Sequence, residues 1–263
     1  MKILFWNVHR NKNINRYIAS IVEDNEIDIL VMAEYNADEN ELYALFRENQ
    51  QNLIKCFTSG CDRINVWSNY INIKSGSQGD YHSVQILLDK YVLCCVHLIS
   101  DVHGDRSEER LEDIHSIMYD IQKTEEDINS QRTIIIGDFN EMPYGKGCLN
   151  ANGLHGLPEL KITDEPTRSV DKKNYRKFYN PMWSLIGDFS YPAGTYYLNQ
   201  SKLHSPMWYM HDQVIISQEV LPVFIKEKLK IITTCSYADL KNKNQHPNKK
   251  ISDHFPIICE IRD

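Results

Sequence analysis

The chain has 263 residues, 42% of them hydrophobic and 25% charged, and a formal net charge of −7 at neutral pH. This is enough apolar content for a sizeable core and too much for a disordered chain. The acidic balance argues against the massed Lys and Arg that give strong non-specific affinity for polyphosphates, and no run approaches the roughly 20 apolar residues of a membrane helix. One globular domain over 1–263, with no membrane partner, is the expectation.

In chain order, KILFWNV opens as a buried strand without the apolar core of a secretory signal, so a cytoplasmic location is expected. Ile14, Ile18, Ile21 and Val22 recur at helical spacing before a second strand, IDILVMA, over 27–33. Residues 38–50 read as a helix with Leu42, Leu45 and Phe46 on one face, and a strand resumes at 63–68. The runs SVQILLD and YVLCCVHLI are separated by little more than Asp89 and Lys90, the pattern of a tight antiparallel hairpin. Cysteines number seven, an odd count with no CxxC pair, and Cys94 and Cys95 fall on opposite faces of one strand; reduced core thiols are expected rather than a bridge or a zinc site.

Residues 107–129 form a long amphipathic helix pattern, with Leu111, Ile114, Ile117, Met118 and Ile121 as its buried stripe. The strand TIIIG (133–137) follows. From 141 to 205 the pattern is irregular and aromatic, the mark of long loops with short elements. Three strands close the chain: QVIIS, one within 224–234, and FPIICEI. Two packed sheets flanked by helices, an α+β architecture, account for this order.

Several polar residues stand at strand ends, where side chains leave the core. Glu34 ends an apolar strand and offers the carboxylate a hard cation such as Mg²⁺ binds, although taken alone a surface Glu at a strand end is the plainer reading. Asn7 holds an amide able to orient a metal-bound water or a phosphate oxygen. In GDFN, Gly137 allows a turn after the strand, and Asp138 and Asn140, two apart, can face one side as a water-orienting carboxylate and a phosphoryl-binding amide. Asp212 precedes one strand, and Asp253 with His254 another; a carboxylate on an imidazole fixes its tautomer and favours its charged form, so His254 binds phosphate or moves protons with Asp212 as its orienter. His97 is either a core histidine or a second imidazole facing the phosphate as general acid. His9, His82, His103, His115 and His204 lack such context.

Together FWNVHRN, VMAEYN, VHLIS, GDFNEMP, HDQVIIS and SDHFPI resemble the endonuclease/exonuclease/phosphatase superfamily, across nearly the full chain. The resemblance implies a deoxyribonuclease I-like four-layer α/β/β/α sandwich of two mixed β-sheets flanked by helices. It implies a monomeric phosphoester hydrolase using one or two Mg²⁺ (or Mn²⁺) ions, with Asn7, Glu34 and Asp253 at the metal and His97, Asp138, Asn140, Asp212 and His254 catalytic. Asp62 matches the acid that supports the strand histidine.

The segment WYMHDQ keeps the acid but lacks the WCDR of inositol 5-phosphatases, and no apolar extension of a membrane sphingomyelinase is visible. KFYNPMWSL and PAGTYYLN combine aromatics with basic residues, as a base-stacking surface would, and bring in Tyr179, Asn180 and Trp183 as substrate contacts, although aromatics also fill cores. Basic clusters at Lys172, Lys173, Arg176 and Lys177, and at Lys241, Lys243, Lys249 and Lys250, read most simply as solvated loops. The expected activity is a nuclease, an endonuclease on DNA or RNA. The alternatives are a phosphatase or phosphodiesterase for a small phosphorylated metabolite, and a non-catalytic binding module on the same fold.

Overall fold

The computed structural model describes residues 1–199 and 205–262; His204 lies outside them, as does the side chain of His103. The first half runs β1 (Lys2–Asn7), α1 (Asn15–Asn25), β2 (Ile29–Ala33), α2 (Glu39–Glu48), β3 (Ile54–Lys55), β4 (Ile64–Ser68), β5 (Ile73–Gly79), β6 (His82–Leu87), β7 (Tyr91–His97), α3 (Ser107–Ile128) and β8 (Arg132–Asp138). The second runs α4 (Lys146–Leu149), β9 (Gly156–Leu157), β10 (Thr167–Val170), β11 (Lys173–Arg176), β12 (Phe178–Tyr179), β13 (Tyr196–Tyr197), β14 (Trp208–Tyr209), β15 (Asp212–Ser217), β16 (Lys230–Ile231) and β17 (Ile257–Glu260).

Two large sheets result, in the orders β16-β17-β1-β2-β4-β3 and β5-β6-β7-β8-β15-β12-β9, with the two-stranded pairs β10-β11 and β13-β14 beside them. Both are mixed: β1 and β2 are parallel, as are β7 and β8, while β17 and β15 run antiparallel to β1 and β8. The central strands are buried on both faces, which is why they read as unbroken apolar runs. Ile3, Phe5, Val31, Leu93, Cys95 and Ile136 fill the layer between the sheets. Leu4, Trp6, Leu30 and Met32 face α1 and α2, with Ile18 and Phe46, on one outer side. Val92, Cys94 and Ile135 face α3, through Ile114, Ile117 and Ile121, on the other. The expected four-layer sandwich is the fold.

Local expectations mostly stand, with three adjustments. Helix α2 is shorter than 38–50 because Asp38 is its cap, its Oδ1 accepting from the Asn40 amide at 2.9 Å. The β6–β7 turn places Leu88 and Asp89 in left-handed conformations (φ 55° and 51°), the backbone of a type I′ hairpin. Within 224–234 only the two-residue β16 forms. All seven cysteines are free thiols. Among the described residues no helix is long and apolar enough to cross a membrane.

Candidate active site

Strand direction gathers the polar residues. Asn7, His97 and Asp138 end β1, β7 and β8, and Glu34 follows β2. Asp212 begins β15, which is antiparallel to β8 and pairs with Asp138 residue for residue. Likewise 252–254 lead into β17, antiparallel to β1. C-terminal ends of one direction and N-terminal ends of the other therefore meet at a single edge of the two sheets.

Gly137 owes its place to close approach rather than to a turn, which corrects the sequence expectation. The strand continues through it to Asp138, and a Cβ there would lie 1.9 Å from the Val96 carbonyl oxygen. Beyond it, the Asn140 amide N–H donates to Asp138 Oδ1 at 2.9 Å, and the Asn140 side-chain amide donates to the Leu98 carbonyl at 2.9 Å. Asn7 Nδ2 donates to Asp138 Oδ2 at 2.9 Å, linking the two sheets through the site.

His254 is held from several sides. Ser252 Oγ donates to the Asn7 carbonyl at 2.7 Å and accepts from the His254 amide at 3.1 Å, while Trp6 Nε1 donates to the His254 carbonyl at 2.9 Å. The imidazole Nδ1 meets Asp212 Oδ2 at 2.8 Å, and its Nε2 lies 3.9 Å from Asp138 Oδ2. Burial disfavours the charged imidazole, yet the Asp212 and Asp138 carboxylates outweigh it and hold its pKa up at about 10. Burial raises the pKa of Asp212, opposed by the His254 imidazolium beside it. Asp138 moves the other way: burial would raise it, but His254, His97 and His211 dominate and its carboxyl stays below the usual range.

His97 points Nε2 at both Glu34 Oε1 and Asp138 Oδ2, 3.8 Å from each. Burial lowers its pKa despite those carboxylates, leaving a neutral ring at pH 7. Asp62 does not support it, contrary to the expectation from the resemblance: Asp62 is exposed, and His97 Nδ1 is buried with no hydrogen-bond partner.

The remaining expected residues separate. Glu34 Oε2 lies 3.4 Å from Arg10 Nε, and Asp253 Oδ1 lies 3.1 Å from His9 Nδ1. Glu34 adopts φ 55°, which carries its side chain out of the strand at the sheet edge. Tyr179 packs in the core between the sheets, beside Phe224. Asn180 is fully buried as a cap, accepting from the Met182 amide and donating to Gln213 Oε1 at 2.7 Å. Trp183 donates weakly to the Gly156 carbonyl at 3.4 Å, with Tyr144 beside it. None of the three touches the catalytic group. Arg176, from the first basic cluster, is committed to Glu125 and Glu219.

Sequence reasoning missed Thr195, Tyr196 and His211. Thr195 Oγ1 accepts from the Asp212 amide at 3.1 Å. Tyr196 lies 4.8 Å, ring to ring, from His254 and stacks on His211 at 5.2 Å. Burial pulls the His211 pKa down to about 4. The adjacency of His211 to Asp212 was the one available signal.

The donors suit a divalent cation. Glu34 and Asp138 present carboxylate oxygens, with the Asn7 Oδ1 beside them accepting from the His9 amide at 3.0 Å, and neither Glu34 carboxylate oxygen accepts a hydrogen bond among the described residues, which is the donor set of a hard ion. Asp138, Asp212 and His254 also bring ligand atoms within 4.8 Å of one another. The 2.8 Å carboxylate–imidazole bond and the raised His254 pKa favour that imidazole as a cation in its own right.

No family model matches the sequence, and no curated protein matches it. Solved structures do match the fold. An AP endonuclease from Archaeoglobus fulgidus superposes with a TM-score of 0.59 at 14% identity, covering 99% of each chain. A 3'-5' exonuclease from Neisseria meningitidis gives 0.59 at 13% identity over the whole of both chains. Truncated Caenorhabditis elegans TDP2 gives 0.57 at 17% identity, covering 100% of this chain and 97% of that one. The chain thus has the deoxyribonuclease I-like fold that its motifs implied.

Proposed function

We propose that this protein is a metal-dependent phosphodiesterase that hydrolyses nucleic acid, acting as an endonuclease. The observation that carries the reading is the His254 relay: a buried imidazolium held by Asp212 at 2.8 Å and facing Asp138 at 3.9 Å, at the edge where Glu34 and Asn7 present oxygens. A binding module would have no need of a carboxylate kept ionised at a fully buried position. Neighbours in fold include enzymes described as an AP endonuclease, a 3'-5' exonuclease and a 3' phosphatase bound to product DNA hairpin, which favours a nucleic-acid substrate.

In this reading the His254 imidazolium binds a non-bridging phosphoryl oxygen, its charge maintained by Asp212. Asp138, ionised and facing the same phosphate, orients the attacking water and takes its proton. Asn7 fixes the Asp138 carboxylate, and the backbone amide of Asn140 fixes its second oxygen. As the water oxygen bonds to phosphorus the P–O ester bond breaks, and neutral His97 gives its Nε2 proton to the departing oxygen. Glu34 and Asn7, with Asp253 beside them, would hold Mg²⁺ or Mn²⁺, which when bound neutralises charge on the phosphate oxygens. The enzyme is taken to act as a cytoplasmic monomer.

The test is gel-resolved cleavage of supercoiled plasmid, linear duplex, single-stranded DNA and structured RNA with Mg²⁺, Mn²⁺ or EDTA, beside Asp138→Ala. Metal-dependent nicking lost in the variant is the expected result. Cleavage of no polymer sinks the nuclease reading and moves the assignment to small phosphoesters.

A further inference from the structure

Arg63 has no part in the mechanism above, yet its side chain crosses the catalytic edge. Its backbone belongs to the sheet that carries Glu34: β2 and β4 pair with Ala33 opposite Ile64, and the Glu34 amide donates to the Arg63 carbonyl at 3.3 Å. Its guanidinium lies over the Tyr81 ring, 4.6 Å from the centroid. Tyr81 leads into β6 of the other sheet, and its carbonyl accepts from the His97 amide at 2.9 Å. The Arg63 side chain therefore reaches from one sheet to the other, beside the point where His97 Nε2 lies 3.8 Å from Glu34 Oε1.

Strand order fixes where along the edge this happens. One sheet presents Asp138, His97 and Tyr81 in the order β8-β7-β6, and the other presents Asn7, Glu34 and Arg63 in the order β1-β2-β4. His254, ahead of β17 on the far side of β1, closes the opposite end. Neighbouring strands lie about 4.8 Å apart, so Arg63 and Tyr81 stand one such step beyond the imidazole that serves the departing oxygen.

The guanidinium is held without being neutralised. Arg63 is exposed, and its side chain makes no ion pair or hydrogen bond among the described residues, although Asp62 precedes it. The other arginines of this region are committed: Arg10 faces Glu34, Arg106 pairs with Glu109, and Arg110 pairs with Asp101. Burial is the main cause of the lowered His97 pKa and the Arg63 charge adds to it, so the two side chains are within electrostatic reach. A guanidinium seated on a ring face keeps its N–H edge free, and that planar fork matches two oxygens of one phosphate.

We propose that Arg63, seated on Tyr81, binds the phosphate next along the strand on the leaving-group side of the cleaved bond. In-line displacement places the departing oxygen, and the nucleoside attached to it, on the side of His97 and Arg63. The preferred substrate is then a phosphodiester flanked by a further phosphate rather than a terminal phosphomonoester. The proposal rests on the phosphodiesterase reading and sharpens its substrate class.

The experiment is binding rather than turnover. In the Asp138→Asn background with saturating Mn²⁺, calorimetry compares the thymidine dinucleotides TpT, pTpT and TpTp, whose extra phosphate lies at one end or the other. One of the two phosphorylated forms binds about tenfold more tightly than TpT, the gain of one charge-assisted contact. Arg63→Gln removes that preference while leaving TpT affinity unchanged, Tyr81→Leu reduces it, and Arg63→Lys, with the charge but no planar fork, keeps part of it. A purely structural tie between the sheets would weaken all three ligands alike. The proposal is overturned if neither terminal phosphate strengthens binding, if Arg63→Gln leaves the preference intact, or if it weakens the three ligands alike. An Arg63-dependent preference without cleavage of any polymer sinks the nuclease reading alone, and polymer cleavage without the preference sinks the Arg63 assignment alone.

Discussion

The two ends of the catalytic edge are built differently. At the seam between the sheets, Asp138, Asp212 and His254 are 1%, 0% and 7% exposed and joined by hydrogen bonds from both sheets. At the cation end, Glu34 and Asp253 keep 22% and 15% of their side-chain surface and, among the described residues, form ion pairs with only Arg10, His97 and His9, at 3.1 to 3.8 Å. The seam is largely finished by folding, with Asp138 and His254 hydrogen-bonded although Asp212 Oδ1 is buried without a hydrogen-bond partner. The cation end is left with oxygens unsatisfied, and in the proposed reading a divalent cation would complete it.

This contrast predicts separable losses. The largest is at the seam: Asp138→Asn and His254→Ala, with the fold confirmed by circular dichroism, are each expected to lower kcat by about 10³-fold or more. If either retains wild-type turnover, the relay is not catalytic. Glu34→Gln is expected to lose on the order of 10²-fold in rate and at least about tenfold in Mn²⁺ affinity. A variant with unaltered metal affinity would move the cation away from Glu34.

The seam also has a pH signature. The His254 pKa is raised in the folded state, to about 10, so its stabilising contribution is complete below the unfolded value near 6.5 and disappears as pH rises through about 10. Denaturant unfolding across that window should show stability falling with pH, and Asp212→Asn should remove most of the slope. A wild-type protein with flat stability from pH 7 to 10 would contradict the charged relay.

Gly137→Ala should destabilise the protein by about 3 kcal/mol or more, since its Cβ would meet the Val96 carbonyl and push apart the strands carrying His97 and Asp138. An unshifted melting temperature would show that β7 and β8 can separate at little cost. The smallest effect belongs to Asp62→Asn, expected to leave the His97 titration, followed by NMR, unchanged. A shift there would restore the supporting acid.

Much of this was legible because strands buried on both faces write long apolar runs, and the residues ending those runs are the ones that meet at one edge of the two sheets. Asn7, Glu34, His97, Asp138, Asp212 and His254 could be read that way. Tyr179 and Asn180 could not, because an aromatic-rich stretch is compatible with core and surface alike, and here Tyr179 fills the core and Asn180 caps a buried turn. Asp62 misled because proximity in a motif says nothing about side-chain reach across a loop.

The sequence by itself determined which residues can carry charge, metal and phosphate, and the layered fold that brings strand ends together, since periodicity and residue chemistry are local properties. Only the tertiary structure decided that Gly137 serves a 1.9 Å approach rather than a turn, that His97 stays neutral while His254 is charged, and that the Tyr196 ring stands 4.8 Å from His254. Each of these depends on groups tens to hundreds of residues apart, whose separation and burial exist only after the sheets have closed.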